Sequence, residues 1–338
     1  MSVGVQAATA RTSPWRTAGP VDRSRRRRLL LAVLVVFLAV VLLRKGFPAG
    51  REEITFWVLA VLWAACAGRW RTWWRAVVRD WLALLLVLFA YDLLRGRVRG
   101  LSRALFSLPV VHSSPTNPRL LDSAHVTQPL HVDQDLFGQV PTVWLQQHLY
   151  SPAHLHWYDV AIVPVYLSHF VVSISLAVVL WATAYPLFKR FVATLVTLTL
   201  TVLVTYALYP AAPPWMASLN HYLPAGIVRI VPATLDATGV QQVNSVVERG
   251  ELYANSVAAM PSLHGAIPMM LLVFFWPLVG RRTRALLVLY VAAMAFTLVY
   301  AGEHYVIDLL VGWVYAVASV VVVRRILRSP TTPVEEPA

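Results

Sequence analysis

Apolar stretches recur along the chain, and most of them are too long for the interior of a soluble domain. Runs poor in charge cover roughly residues 29–43, 54–67, 81–94, 160–188, 191–209, 263–279, 285–301 and 306–326. A helix needs ~20 such residues to cross the ~30 Å of hydrocarbon in a bilayer, and the shorter runs reach that length only with their Trp- and Arg-bearing flanks. The pattern predicts an all-α, polytopic transmembrane bundle of about eight spans. The first run resembles the apolar part of a signal peptide. No small-residue cleavage site follows it and further spans do, so it reads as a signal anchor. Two long segments, 95–158 and 211–260, are rich in Pro, His and Asn and too polar to cross. They are expected to cap one face of the bundle.

Short basic loops set the orientation. Lys189 with Arg190, then Arg281, Arg282 and Arg284, then Arg324, Arg325 and Arg328 should all be cytoplasmic, and the alternation works for the last five spans. The basic cluster Arg23 to Arg28 inside, followed by three spans, puts 95–158 outside, in agreement. That leaves Arg95, Arg97, Arg99 and Arg103 on the outer side, where they either lie along the outer leaflet or mark a misplaced early span.

Composition sharpens the class. Hydrophobic residues are 58% of the chain and the mean hydropathy is +0.62, so lipid is the solvent for most of it. The formal charge of +13 suggests nucleic acid at first sight. The arginines sit at the ends of apolar runs, however, where anionic head groups meet them. Cys66 is the only cysteine, which excludes an intramolecular disulfide and a cysteine metal cluster. Lys45 and Lys189 are the only lysines, and this preference for Arg, with abundant Ala and Val, suggests a GC-rich bacterial genome.

Two short segments carry chemistry. Ala259-Met260-Pro261-Ser262-Leu263-His264 opens a span, with proline where a helix start has no use for its missing N–H. The free N–H groups of that first turn, with Ser262 beside them, form a cradle for an anion, and His264 lies within reach to move a proton. Gly302-Glu303-His304-Tyr305-Val306-Ile307-Asp308 opens the last span. His304 and Asp308 are four residues apart and share a helix face. An ionised carboxylate one turn into a span costs ~3 kcal/mol without a partner, and His304 is the obvious one. A carboxylate on one imidazole nitrogen orients the ring and raises the basicity of the other nitrogen, which makes a nucleophile. The plainer alternatives are a helix start with a snorkelling histidine and a structural His–Asp bond. The topology places both histidines at the same depth, and that convergence favours catalysis.

These segments resemble the second and third signature motifs of the type 2 phosphatidic acid phosphatase superfamily, Pro-Ser-x-His and Ser-Arg-x5-His-x3-Asp. The resemblance implies a six-helix phosphatase-like core. The expected organisation is then a basic tail at 1–28, two extra spans at 29–70, the catalytic core at 71–328 with its outer loops, and a tail at 329–338. It further implies that His304 attacks phosphorus to give a phosphohistidine, that Asp308 supports it and that His264 protonates the leaving alkoxide. Two departures matter. Thr297-Leu298 stand where the family has Ser-Arg, and the Lys-x6-Arg-Pro motif is missing, so two phosphate-binding cations are lost. The run Tyr209-Pro210-Ala211-Ala212-Pro213-Pro214-Trp215-Met216 is instead similar to the inositol phosphorylceramide synthase branch, whose members move a phosphorylated head group to a lipid alcohol. Ser262, Arg229, Arg249 and Trp215 are the candidate substrate-binding residues.

The expected partners are a phospholipid donor and a lipid alcohol acceptor at the outer face of the cytoplasmic membrane. Hydrolysis of a lipid or polyprenyl phosphate and a non-catalytic scaffold or transporter are the rivals. His148, His154 and His156 with Asp159, and Asp133-Gln134-Asp135, match no metal-ligand spacing, so neither metal nor cofactor is expected. His169, within a span, reads as packing against a neighbouring helix. Tyr166, Tyr206 and Tyr209 read as part of an interfacial aromatic belt.

Overall fold

A computed structural model of the protein describes residues 32, 33, 36, 78–87, 124–223, 226–239 and 257–327. Apart from residues 32, 33 and 36, the two expected N-terminal spans lie outside the described residues, as do both tails and Arg249. Regular structure among the described residues is helical. Residues 78–87 form one stretch, followed by α1 (Thr127–Phe137), α2 (Pro141–Leu149), α3 (Trp157–Thr183), α4 (Tyr185–Leu208), α5 (Pro214–Leu219), α6 (Ile230–Ala237), α7 (Leu263–Phe275), α8 (Arg281–Tyr300) and α9 (Val306–Ile326). Four helices, α3, α4, α8 and α9, are long and apolar enough to cross a bilayer. The chain is a multi-pass membrane protein. The run expected at 263–279 is a shorter apolar helix, α7, extended by a single 3-10 turn at Trp276–Leu278.

The apolar pattern misplaced one boundary. The sequence suggests a break at Lys189-Arg190, whereas the chain turns at Ala184, whose φ of −142° and ψ of 65° end α3. Pro186 then occupies the first turn of α4, where its missing N–H costs no helical bond. Lys189 and Arg190 therefore belong to the early turns of α4. Polar side chains along α4 are satisfied within the helix. Thr194, Thr197, Thr199 and Thr205 each donate a hydroxyl to the carbonyl four residues earlier, at 2.7 to 3.0 Å. A hydroxyl facing hydrocarbon has no water to turn to, so this local bond makes threonine tolerable in a span.

The central core joins α4 to α3, α7 and α9 through Trp181, Phe188, Phe191, Leu198, Met270, Leu271 and Val320. Trp81 packs edge-on to Trp181 at 5.6 Å and docks the 78–87 helix there. The neighbouring Asp80 accepts hydrogen bonds from Tyr185 Oη (2.7 Å) and Trp181 Nε1 (3.0 Å). Val171, Val204, Leu286 and Val314 are exposed on the outside of the bundle, the surface that lipid would cover.

α7 and α9 approach closely. A Cβ added to Gly312 would lie 2.6 Å from the main-chain Ser262 O, so that position requires the absence of a side chain, and one added to Gly265 would lie 2.7 Å from Leu309 Cδ2, whose side chain would have to shift. Arg324, near the far end of α9, donates to Val273 O (2.8 Å) and Phe274 O (3.0 Å), the last carbonyls of α7. Lys189, Arg190, Arg281, Arg282, Arg284, Arg324 and Arg325 all fall at the helix ends opposite His264 and His304.

At the histidine end the two polar segments fold together. His125 N donates to Pro210 O (2.8 Å) and Ala211 N to Val257 O (2.7 Å), forming two isolated bridges between three distant parts of the chain. Val126, Leu130, Val140, Met216, Ala217 and Leu223 pack there around the fully buried Tyr305. Gln146 stitches a second seam, with Nε2 donating to Val228 O and Tyr300 O and Oε1 accepting from Val228 N, at 2.8 to 2.9 Å.

Candidate active site

The turn between α8 and α9 presents the first histidine. Gly302 has a φ of +77°, a left-handed conformation that disfavours a side chain, and a Cβ there would strike Ile227 Cγ2 at 2.7 Å. Glu303 N and His304 N both donate to Leu298 O, at 3.0 and 3.2 Å, and Trp215 N donates to Gly302 O at 3.1 Å. The turn is held from both sides. Asp308, fully buried one turn into α9, accepts from Tyr305 N at 2.9 Å and lies 3.4 Å from His304 Nδ1 through the same oxygen, Oδ2. His304 Nδ1 thus faces the carboxylate, which leaves Nε2 as the nitrogen that can attack.

Asp133 braces this turn from α1. Its two carboxylate oxygens accept from Val306 N (2.8 Å) and Ile307 N (2.9 Å), the opening N–H groups of α9. The acidic cluster read as a possible ligand pair is therefore divided: Asp133 is buried against the helix start, and Asp135 is exposed. Burial pushes the Asp133 carboxyl up to about 6, against the pull of those two N–H groups. Tyr305 is likewise raised, first by burial and then by the charges of Asp308 and Asp133, so its hydroxyl keeps its proton at neutral pH.

The second histidine is presented by α7. Ser262 is the N-cap, its Oγ accepting from Gly265 N at 3.1 Å, and its own N–H donates to Asp308 O at 3.0 Å. Tyr206 Oη donates to Pro261 O at 2.9 Å. The Ser262 side chain is buried and accepts the cap bond, and its hydroxyl hydrogen is not used by that bond. The ring of His264 lies 6.0 Å from that of His304, centroid to centroid. His264, His304 and Asp308 are thus brought together.

Arg229 and Trp215 form the rim. The Arg229 guanidinium makes a two-pronged ion pair with Glu303, at 2.9 to 3.0 Å, and lies 4.6 Å over the Trp215 ring. Its charge is matched by a carboxylate adjacent in sequence to His304. The loop histidines take up local roles. His148 Nδ1 is 2.8 Å from Trp144 O, and His156 N donates to Asp159 Oδ2 at 2.9 Å. Asp159 also accepts from Tyr300 Oη at 2.5 Å, tying the start of α3 to the end of α8. Among the described residues no three His, Cys, Asp or Glu side chains converge as a metal site would require.

His169 falls in the site itself. Its ring stacks on His264 at 3.9 Å with 27° between planes, and Tyr166, one turn away, stacks on the same ring at 5.1 Å and 16°. Sequence reading assigned these residues to packing and to the aromatic belt. The available signal was an ionisable ring in the middle of an apolar run, which marks a functional position in a membrane helix.

The order of these helices and the placement of both histidine motifs at helix starts can be set against known families. The family model of the PAP2 superfamily matches residues 128–322, well over half of the chain and the whole of the site described above. The chain belongs to the PAP2 superfamily. Membership of the PAP2 superfamily places it among lipid phosphatases and phosphotransferases and agrees with the resemblance carried by its motifs. A protein named phosphoinositol dihydroceramide synthase, from Bacteroides thetaiotaomicron, is 33% identical over 114 residues. That similarity covers 32% of this chain and 36% of the relative, so the chain spans little more than a third of that relative's length. No solved structure matches the chain.

Proposed function

We propose that this PAP2 superfamily member is a membrane phosphotransferase that moves a phosphorylated head group from a phospholipid to a lipid alcohol. His304 Nε2 attacks phosphorus, a P–N bond forms, and the P–O bond to the donor's diacylglycerol breaks. His264 gives its proton to the departing alkoxide. The acceptor hydroxyl then attacks the phosphohistidine, returns its proton to His264, and the P–N bond breaks. Asp308 holds His304 through Nδ1 and offsets the positive charge that the ring gains on phosphorylation.

The observation that carries transfer over hydrolysis is the Arg229–Glu303 pair. A phosphate monoester brings close to two negative charges and favours unmatched cations, whereas a phosphodiester brings one. The family's Ser-Arg position is Thr297-Leu298 here, and the cation at the rim is already balanced by Glu303. Trp215 adds apolar surface beside it. The partial relative's printed name, a synthase acting on a dihydroceramide, supports the same reading. Because the basic residues gather at the opposite end of the bundle, the site belongs on the outer face of a bacterial cytoplasmic membrane.

The test is a competition. Purified protein in detergent receives a phospholipid labelled in its head-group phosphate together with ceramide or a long-chain alcohol. Mass spectrometry should find a new phosphorylated lipid and free diacylglycerol. Water-soluble phosphate ester and diacylglycerol with no phosphorylated lipid product, at any acceptor concentration, would establish hydrolysis in place of transfer, and no turnover of any lipid phosphate would establish a scaffold.

A further inference from the structure

The histidine assigned the proton-transfer role is flanked by rings from a neighbouring helix. His264 lies in the first turn of α7, and the terminal torsion of an imidazole is broad and roughly two-fold, so contacts on the ring faces bear on its plane. Three of those contacts come from α3. His169 lies face to face with the His264 ring at 3.9 Å, Tyr166 stacks at 5.1 Å, and Phe170 meets it edge-on at 5.5 Å and 84°. His169 is itself buried, and α3 is tied to the site through the Asp159–Tyr300 bond.

We propose that His169 is a positioning residue, which by stacking on His264 holds that ring in the plane from which it protonates the leaving alkoxide. The inference rests on the phosphotransfer reading, in which His264 is the acid. A proton donor displaced by about 1 Å can lose on the order of 100-fold in rate, so loss of the stack should be felt in turnover and not in substrate binding.

The experiment compares two leaving groups in purified full-length protein. One substrate is a phospholipid, whose alkoxide must be protonated as it departs. The other is a nitrophenyl phosphodiester, whose phenolate leaves without a proton. His169→Leu should lose 10- to 100-fold in kcat on the phospholipid with little change in KM, and under threefold in the single-turnover burst of nitrophenolate, which reads the first step alone and needs no acid. His169→Phe, which keeps a flat ring, should recover most of the loss. Equal losses of His169→Leu on both substrates, no loss on either, or failure of His169→Phe to recover would each overturn the proposal. His264→Asn serves as the reference. If it is selective for the phospholipid while His169→Leu is not, only the role of His169 falls. If His264→Asn is itself unselective, the acid assignment falls and the inference with it.

Discussion

Replacing Asp133 by alanine removes the group that closes the start of α9. Its carboxylate accepts the N–H groups of Val306 and Ile307 at 2.8 and 2.9 Å, from a side chain with no exposed surface. Each buried donor left without a partner costs ~1–3 kcal/mol, and the two share one acceptor group, so the loss should be about 2–4 kcal/mol. For a domain of this size that lowers Tm by roughly 5–10 °C. The turn that loosens lies between His304 and Asp308, so kcat should also fall by on the order of 10-fold with KM little changed. Asp133→Asn keeps one oxygen and should lose about half as much stability.

The same carboxyl gives a pH signature. Burial raises it to about 6, above the ~3.9 of an unfolded chain, so between those values the folded protein holds the proton more tightly. Its contribution to stability is therefore fully present below about pH 4 and is lost as pH rises through about 6. Asp133→Asn cannot titrate. Thermal unfolding in detergent micelles from pH 4 to 8 should show the gap in Tm between wild type and Asp133→Asn narrowing from pH 4 to 6 and flat above 7. A Tm for Asp133→Ala within 1 °C of wild type, together with unchanged kcat, would refute the bracing role.

Other perturbations address the rest of the site. His304→Asn should cut turnover ~10²-fold or more and abolish acid-labile labelling of the protein by a phosphate-labelled donor, and retention of a tenth of the rate would remove it as nucleophile. Gly312→Ala places a methyl group 2.6 Å from Ser262 O and should cost about 1–3 kcal/mol in thermal stability, with a parallel drop in kcat. Glu303→Gln unmasks the Arg229 charge and should lower KM for a phosphate monoester several-fold relative to a phosphodiester, as steady-state kinetics on the two would show. A cysteine replacing the exposed Tyr222, in a Cys66→Ala background, should react with a membrane-impermeant thiol reagent on intact cells, and labelling only after lysis would reverse the orientation.

The four long spans among the described residues were legible because hydrocarbon imposes one requirement, length without charge, that a sequence displays directly. The positions of His264, His304 and Asp308 were legible for a related reason: Pro261 marks a helix start, and a four-residue spacing fixes a shared face. What was not legible depends on contacts between distant segments. The break at Ala184 lies inside an unbroken apolar run, so Lys189-Arg190 drew the boundary too late. The pairing of the candidate phosphate binder Arg229 with Glu303 was not legible, because the two lie 74 residues apart. Asp133 is 173 residues from the N–H it caps, and nothing local distinguishes it from the exposed Asp135. His169 does pack against a neighbouring helix, as its place in a span suggests, but which ring it meets, that of His264, depends on a contact 95 residues away that no local pattern displays.

The bond from Ser262 N to Asp308 O joins the backbones of α7 and α9, and Gly312 lets them meet without a side chain between. The proposed nucleophile, His304, and proton donor, His264, are thus mounted on one two-helix block, clamped at its far end by Arg324. The lipids on both sides of the reaction must fit that block, since main chain packed against main chain leaves it little room to adapt to them. An inhibitor aimed at the α7–α9 seam would meet main chain with no room to yield.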